Sequence, residues 1–143
     1  MVRNTQQRTA IYQTLMGSGR PLSVTEIFEL ARNRVKGLGI ATVYRSLKIL
    51  EQEGRIRQVD LPGQSSRWEL PGRHHHHFLC RICDKLFEIH ACPVDIRKLA
   101  PKGYRLEEHD ILLHGQCDVC AAPNAGLRQE SNPAVLIAGK RRG

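Results

Sequence analysis

The sequence has no hydrophobic run approaching the roughly 20 residues that a membrane-spanning helix requires. Its first residues, Met-Val-Arg-Asn-Thr-Gln-Gln-Arg, are polar, so it also lacks the apolar core of an export signal. Both absences argue against a membrane partner. We therefore expect a cytoplasmic protein, in which cysteines stay reduced.

Acidic residues are in short supply, with 14 Asp and Glu against 22 Lys and Arg, and the imbalance is uneven along the chain. Residues 1–73 hold 12 basic and 6 acidic residues, residues 74–127 hold 6 and 7, and residues 128–143 hold 4 and 1. The excess positive charge therefore belongs to the first half and the tail. This favours nucleic acid as a partner of the first half, although a basic surface alone is often only a solvated one.

Four of the five cysteines form two Cys-x-x-Cys pairs, the half-sites of a tetrahedral thiolate centre. Two disulfides or four buried thiols are the alternatives, and a reducing compartment disfavours the first. Structural zinc would also stabilise a domain too small to bury a large core. We therefore predict that structural Zn²⁺ is bound by Cys80, Cys83, Cys117 and Cys120.

Residues 74–77 are four consecutive histidines that lead into the first cysteine pair. In a strand, alternate side chains point to opposite faces, so one strand can serve two metal sites. The histidines on one face are predicted to bind a metal together with a carboxylate that precedes the run. Those on the other face are predicted to bind a metal together with an acidic residue and a histidine that follow it. The two predicted donor sets are Glu69, His75 and His77, and His74, His76, Asp95 and His109.

Two of these donors have an alternative interpretation, because a lone Asp95 or His109 is more often an ordinary surface residue than a metal ligand. The fifth cysteine, Cys92, has no partner pair and is predicted to be a buried or partly exposed thiol. Because Glu88, His90 and Cys92 alternate along one face, a further soft metal site there is the alternative.

Apolar periodicity predicts three helices in the first half, over residues 5–16, 24–33 and 40–54. A capping box, Ser-Val-Thr-Glu at residues 23–26, opens the second helix. Residues 55–60 and 65–70 then form a hairpin around a turn at residues 61–63. Three helices followed by a hairpin predict a winged helix-turn-helix, in which the third helix is the recognition helix.

The third helix has two contrasting faces. Ile40, Val43, Leu47 and Leu50 are predicted to face the core. On the other side a small residue allows close approach to DNA, an arginine can reach guanine and a lysine can meet phosphate. These exposed residues are Ala41, Tyr44, Arg45 and Lys48; the alternative is an ordinary amphipathic surface helix.

The second half is predicted to contain strands at the histidine run, at residues 85–90 and at residues 104–114, with a helix at residues 94–100. Exposed strand edges of so small a unit would pair with a second copy, which predicts a homodimer. The fold class is therefore α+β, an N-terminal winged helix-turn-helix followed by a small α/β dimerisation domain. The boundaries are residues 1–70 for the DNA-binding domain, 71–73 for a hinge, 74–122 for the dimerisation domain and 123–143 for a basic, flexible tail.

Ala-Thr-Val-Tyr-Arg at residues 41–45, the wing, the hinge, the His-His-His-His-Phe-Leu-Cys-x-x-Cys run and the closing Gly-x-Cys-x-x-Cys together resemble the ferric uptake regulator superfamily. The resemblance spans residues 3–120. It implies a dimeric repressor of metal homeostasis genes that binds double-stranded operator DNA when a regulatory divalent metal (zinc, iron or manganese) is loaded. No small-molecule substrate is implied.

By that resemblance Tyr44 and Arg45 contact bases and Arg3 approaches the minor groove, which completes a DNA-binding set of Arg3, Ala41, Thr42, Tyr44, Arg45 and Lys48. The set Glu69, His75 and His77 matches a regulatory site at the hinge, and His74, His76, Asp95 and His109 match a site within the dimerisation domain.

The chain departs from the superfamily pattern at two positions. Pro21 stands where many iron- and peroxide-sensing members have a histidine, which favours zinc or manganese as the sensed metal. Asp84 replaces the glycine that often follows the first cysteine pair.

Two other functions compete with a repressor. A zinc-dependent hydrolase could use His74, His76 and His109 with Glu108, and a metal-buffering protein could use the same donors. The sequence has no His-Glu-x-x-His motif and no recognisable substrate pocket, and either function would leave the basic half unused. We therefore predict that the protein is not an enzyme.

Overall fold

A computed structural model describes residues 2–92 and 95–123. The chain divides into two compact units, Met1–Arg73 and His74–Gly143. The predicted tail, apart from its first residue, lies outside the described residues. No helix in the described part of the chain is long and apolar enough to cross a membrane.

The first unit contains three helices, α1 (Val2–Ser18), α2 (Val24–Ala31) and α3 (Ile40–Gln52). An antiparallel hairpin of β1 (Arg57–Leu61) and β2 (Gln64–Glu69) follows. Its turn places Gly63 at φ 70°, a left-handed conformation that glycine adopts without strain. The order of elements is the one the sequence predicts.

All three helices and the hairpin contribute to the core of the first unit. The backbones of Leu22, which precedes α2, and Trp68 of β2 exchange hydrogen bonds of 2.9 and 2.7 Å, which ties the hairpin to the helices. The prediction that Ile40 faces the core was wrong, since it is 45% exposed, and Leu38 in the preceding loop is buried in the core instead. The core residues are Ile11, Leu15, Leu22, Ile27, Ala31, Leu38, Val43, Leu47, Leu50, Ile56 and Trp68.

The second unit is built on a three-stranded sheet in the order β4-β3-β5. The central strand β3 (His76–Cys80) pairs antiparallel with β4 (Leu86–Ile89) and parallel with β5 (Leu112–Gly115). A short 3-10 helix, Ile96–Leu99, lies between β4 and β5 along the chain.

Two predicted elements of the second unit need correction. Instead of a helix over residues 94–100, the described residues form only the single-turn 3-10 helix, and Val94 lies outside the description. The strand predicted over residues 104–114 is limited to Leu112–Gly115. Among the described residues its partner is β3, which pairs with it from His77 to Cys80, and the pairing does not extend back along residues 104–110.

Candidate metal centres and nucleic-acid interface

Four cysteine sulphurs converge where β3 and β5 end. Cys80 closes β3 and Cys83 follows it, and the parallel pairing of β5 brings Cys117 and Cys120 alongside. The four sulphurs lie within 4.8 Å of one another, with Cys83 and Cys117 at 3.9 Å. Zinc–sulphur bonds of about 2.3 Å in a tetrahedron separate sulphurs by roughly 3.8 Å, so this donor set fits zinc.

The same thiols differ in how readily they ionise. Burial raises the pKa of Cys80, but backbone N–H groups of Cys83, Cys117 and Ile82 more than offset it and bring that pKa down to about 6. Burial together with neighbouring thiols raises the pKa of Cys83, and raises the pKa of Cys120 to about 12. Cys80 therefore ionises more readily than Cys83 and Cys120, whose ionisation a bound cation would favour.

Asp84 follows the first cysteine pair at φ 62°, a left-handed conformation. Glycine adopts this conformation most easily, and aspartate is among the residues that tolerate it. The departure from the superfamily pattern at this position therefore leaves the turn intact.

A second cluster forms on one face of β3. The Nε2 atoms of His74 and His109 are 3.2 Å apart, and the Cys92 sulphur lies 3.2 Å from His76 Nε2 and 3.4 Å from His109 Nε2. All four atoms lie within 4.8 Å of one another. The Ile111 N–H donates to His76 Nδ1 at 3.2 Å, which orients the ring.

The central member of this cluster, His76, is 2% exposed. Burial, followed by the proximity of His74 and His109, lowers the pKa of His76, and the ring is neutral at neutral pH. Neutral imidazole is the form that binds metals.

Asp95 is not a member of this cluster. It precedes the 3-10 helix at φ 67°, and its carboxylate lies 3.1 Å from Lys98 Nζ. The structure thus brings His74, His76 and His109 together as predicted, but with a thiol in place of the predicted carboxylate. The assignment of these residues to a metal stays a prediction.

On the other face, His77 of β3 and His75, the residue before the strand, have ring centroids 4.8 Å apart. Glu88 of β4 pairs in register with His77, and its carboxylate lies 3.9 Å from His75 Nε2 and 3.3 Å from His90 Nε2. A soft site of Glu88, His90 and Cys92 is therefore not formed, because Cys92 belongs to the other histidine cluster.

Sequence reasoning missed Glu88 as a neighbour of His75 and His77. The signal was present, since a hairpin closed by the first cysteine pair sets Leu79 opposite Leu86 and therefore His77 opposite Glu88. In the first unit, the predicted donor Glu69 is 2% exposed and accepts a hydrogen bond from Arg57 Nε at 2.6 Å.

The exposed face of α3 carries the predicted DNA-contacting residues. Ala41, Tyr44, Arg45 and Lys48 are all exposed, and Tyr44 keeps 59% of its surface. Arg45 donates from Nη2 to Thr42 Oγ1 at 3.0 Å. A small residue, a phenol and two cations on one open helix face suit the major groove of DNA.

Arg3 lies on α1 and reaches the loop before α3, where its Nη2 donates to the Gly37 carbonyl at 3.4 Å. A Cβ at position 37 would lie 2.7 Å from that nitrogen, so glycine permits the approach. Pro21, between α1 and α2, is fully buried and offers no ligand atom.

Comparison with known proteins gives consistent matches. A family model described as the ferric uptake regulator family matches residues 1–114. The ferric uptake regulation protein of Synechococcus elongatus is 29% identical, over 82% of this chain and 85% of that protein.

Two solved structures are similar as well. One is the Helicobacter pylori ferric uptake regulator, described as having three functional metal-binding sites. It is 29% identical with a TM-score of 0.65, and the match covers 81% of this chain and 80% of that one. The other is a zinc-bound manganese uptake regulator. It is 28% identical with a TM-score of 0.68, and the match covers 78% of this chain and 88% of that one.

Proposed function

This chain belongs to the ferric uptake regulator family, and from that premise we propose that it represses metal homeostasis genes by binding operator DNA as a homodimer. The match to the family confirms the predicted superfamily and fold class. Members of the family are metal-responsive transcriptional regulators rather than enzymes, so the alternative of a zinc-dependent hydrolase is not favoured. The cofactors of this protein are structural zinc and a regulatory divalent metal.

The observation that carries the DNA-binding part of this proposal is the open face of α3. Four exposed side chains with complementary chemistry lie on a helix whose opposite face is buried through Val43, Leu47 and Leu50. Arg45 is assigned to guanine and Lys48 to phosphate. The charge excess of residues 1–73 supports this assignment, because phosphate neutralisation supplies much of the affinity of DNA-binding proteins.

Structural zinc is assigned to Cys80, Cys83, Cys117 and Cys120. Their mutual distances support it, and so does the small apolar interior of the second unit. A zinc ion there supplies folding energy, because the binding free energy of a structural metal is coupled to folding.

The regulatory metal is assigned to Glu69, His75 and His77, with Glu88 as a further donor. Glu69 belongs to the DNA-binding unit, and the other three belong to the dimerisation unit. A ligand shifts an equilibrium only through different affinities for the two states, and donors from both halves supply that difference. The cluster of His74, His76 and His109 lies within one unit and is assigned a supporting role.

The sensed metal is proposed to be zinc or manganese rather than iron. The buried Pro21 cannot supply the histidine that many iron-sensing members have at this position. The likeness to a zinc-bound manganese uptake regulator supports the same choice.

The test measures binding to a DNA duplex selected from a random pool, with the metal removed by chelation and then restored. We expect tight binding only with metal, loss of the metal response in His75→Ala/His77→Ala, and a retained response in His109→Ala. Binding that ignores metal in the unmodified protein would contradict the repressor proposal. A response that survives the double substitution but disappears in His109→Ala would show that the regulatory and supporting sites are reversed.

A further inference from the structure

The fifth cysteine has no role in the metal sites assigned so far, yet its sulphur lies among three histidine nitrogens. The measured separations are 3.2 Å for His74 Nε2 to His109 Nε2, 3.2 Å for His76 Nε2 to Cys92 Sγ and 3.4 Å for Cys92 Sγ to His109 Nε2. His76 lies on β3, and His74 lies two residues before it. Cys92 follows β4, and His109 lies three residues before the start of β5. Four separate positions in the chain thus converge on one point.

These separations match the edges of a tetrahedron around zinc. Bonds of about 2.0–2.1 Å to nitrogen and 2.3 Å to sulphur place two nitrogens roughly 3.4 Å apart and a nitrogen and a sulphur roughly 3.6 Å apart. These three separations are within a few tenths of an ångström of those values, and all four atoms lie within 4.8 Å of one another. A hydrogen-bonded cluster is the competing explanation, because an imidazole–thiol hydrogen bond has a similar length.

The positions of the ring protons help to distinguish a metal site from a hydrogen-bonded cluster. The Ile111 N–H donates to His76 Nδ1, so in the metal-free protein the neutral ring carries its proton on Nε2 and donates it to the Cys92 sulphur. His109 Nε2 faces that same sulphur and His74 Nε2. A single proton on Nε2 of His109 can serve only one of these two contacts well, whereas a cation satisfies every donor in the cluster.

The carboxylate that the resemblance places in this site is engaged elsewhere. Asp95 has a left-handed backbone, and its side chain pairs with Lys98 at 3.1 Å. Cys92 stands where the fourth donor is needed. The replacement of an oxygen donor by sulphur changes which metals the site prefers, since thiolate favours zinc and disfavours manganese.

We propose that Cys92, and not Asp95, completes the site of the dimerisation unit, so that His74, His76, Cys92 and His109 form a soft His₃Cys centre selective for zinc over manganese. Binding displaces the thiol proton of Cys92 to solvent and moves the His76 proton from Nε2 to Nδ1, which breaks the hydrogen bond that Nδ1 accepts from the Ile111 N–H. No electron transfer is involved. The inference rests on the proposed function only in expecting this unit to bind metal, and its test uses no DNA.

Cobalt(II) is the probe for the thiolate, because cobalt bonded to sulphur gives a charge-transfer absorption in the near ultraviolet that nitrogen and oxygen donors do not give. The full-length protein is first loaded with one zinc per chain, which fills the four-cysteine site, and cobalt is then titrated in while the retained zinc is measured. We expect one equivalent of cobalt to bring up the charge-transfer band with the zinc retained. The donors Glu69, His75, His77 and Glu88 contain no sulphur and do not contribute to it.

Matched variants identify the ligand. Cys92→Ser should abolish the band and Asp95→Ala should leave it unchanged. The proposal is overturned if the unmodified protein shows no band with zinc retained, if the band persists in Cys92→Ser, or if Asp95→Ala removes it. Circular dichroism of each variant checks that the second unit is folded, and Cys92→Asp, which keeps a donor at this position, should bind cobalt without the band.

Selectivity is tested separately by competition between zinc and manganese at this site. Loss of a supporting residue outside the coordination sphere commonly weakens metal binding 10–100-fold, so loss of a direct ligand in Cys92→Ser should weaken zinc by at least about tenfold. Manganese binding should change much less. An unchanged zinc affinity in Cys92→Ser would show that the thiolate adds nothing to zinc binding and would overturn the proposed selectivity.

Discussion

Arg45 is held by its own helix in the free protein, where its guanidinium donates to Thr42 Oγ1. The bond restricts a long and otherwise exposed side chain. Part of the entropy cost of ordering Arg45 against a base is therefore met before DNA arrives.

If Arg45 makes a bidentate contact with guanine, Arg45→Ala should reduce discrimination between selected and scrambled duplexes by about 1–3 kcal/mol. Lys48→Ala, the matched loss of one positive charge from the same face, should weaken both duplexes alike, because phosphate contacts carry no sequence information. Fluorescence anisotropy with both duplexes at fixed salt measures this. An equal loss on the two duplexes for Arg45→Ala would assign it to phosphate instead.

At the level of single residues, the sequence predicted best which side chains come together where their spacing is local. Cys80 and Cys83 are brought together by one turn, and their pairing with the second cysteine pair needs only one strand contact. Asp95 was placed with the histidines because a helix was expected there. Asp95 instead has a left-handed backbone and precedes a 3-10 helix of a single turn, so the chain runs in a different direction from the expected α-helix. Neither feature produces a periodic pattern of apolar residues in the sequence.

Among the helices, α2 depends most on its first turn, because it has only eight residues. The predicted capping box is confirmed: Ser23 Oγ accepts from the Glu26 N–H at 3.1 Å, and Glu26 accepts from the Ser23 N–H at 3.0 Å. Burial raises the pKa of Glu26, but hydrogen bonds from Arg20 and Ser23 outweigh it and the net pKa is lowered. This stabilisation is therefore present at neutral pH and is lost as the pH falls through the lowered pKa.

Ser23→Ala should lower the free energy of unfolding by about 1 kcal/mol, within the range of 0.5–2 kcal/mol found for lost helix caps. Urea denaturation of the zinc-loaded protein, followed by circular dichroism, measures the change. Thr25→Ala, at an exposed position of the same turn, is the control and should be nearly neutral. A Ser23 variant as stable as that control would mean that the cap contributes nothing.

Whole elements were predicted well where a partner lies nearby in the sequence. The three helices and the hairpin follow from apolar periodicity and turn residues, and each packs on its neighbours along the chain. The last strand was overextended because an alternating stretch shows where a strand can form, whereas the length of its partner determines where it does form. Four residues of β3 pair with β5, so only four residues of β5 are strand.

The whole protein is predicted to be a homodimer that pairs through the second unit. Both outer strands of the β4-β3-β5 sheet have one partner among the described residues. Leu99 and Tyr104 of the same unit are 79% and 73% exposed, and apolar surface of this kind is commonly covered by a second copy. A dimer also presents two recognition helices to a palindromic site.

Sedimentation equilibrium at micromolar concentration with zinc should give twice the chain mass of 16.2 kDa. The same measurement after chelation tests whether the pairing depends on metal. A monomer in the presence of zinc would overturn the dimer and, with it, the expectation of a palindromic operator.

The edge strand β5 begins three residues after His109, so a metal held by that histidine would also anchor the chain segment that enters the strand. If β5 forms part of the contact between two copies, metal binding and subunit pairing share one free-energy cycle, and each must strengthen the other by the same factor. By mass action, the metal concentration that half-loads the protein then falls as the protein itself becomes more abundant. The abundance of the protein would thus set the metal concentration at which this supporting site fills.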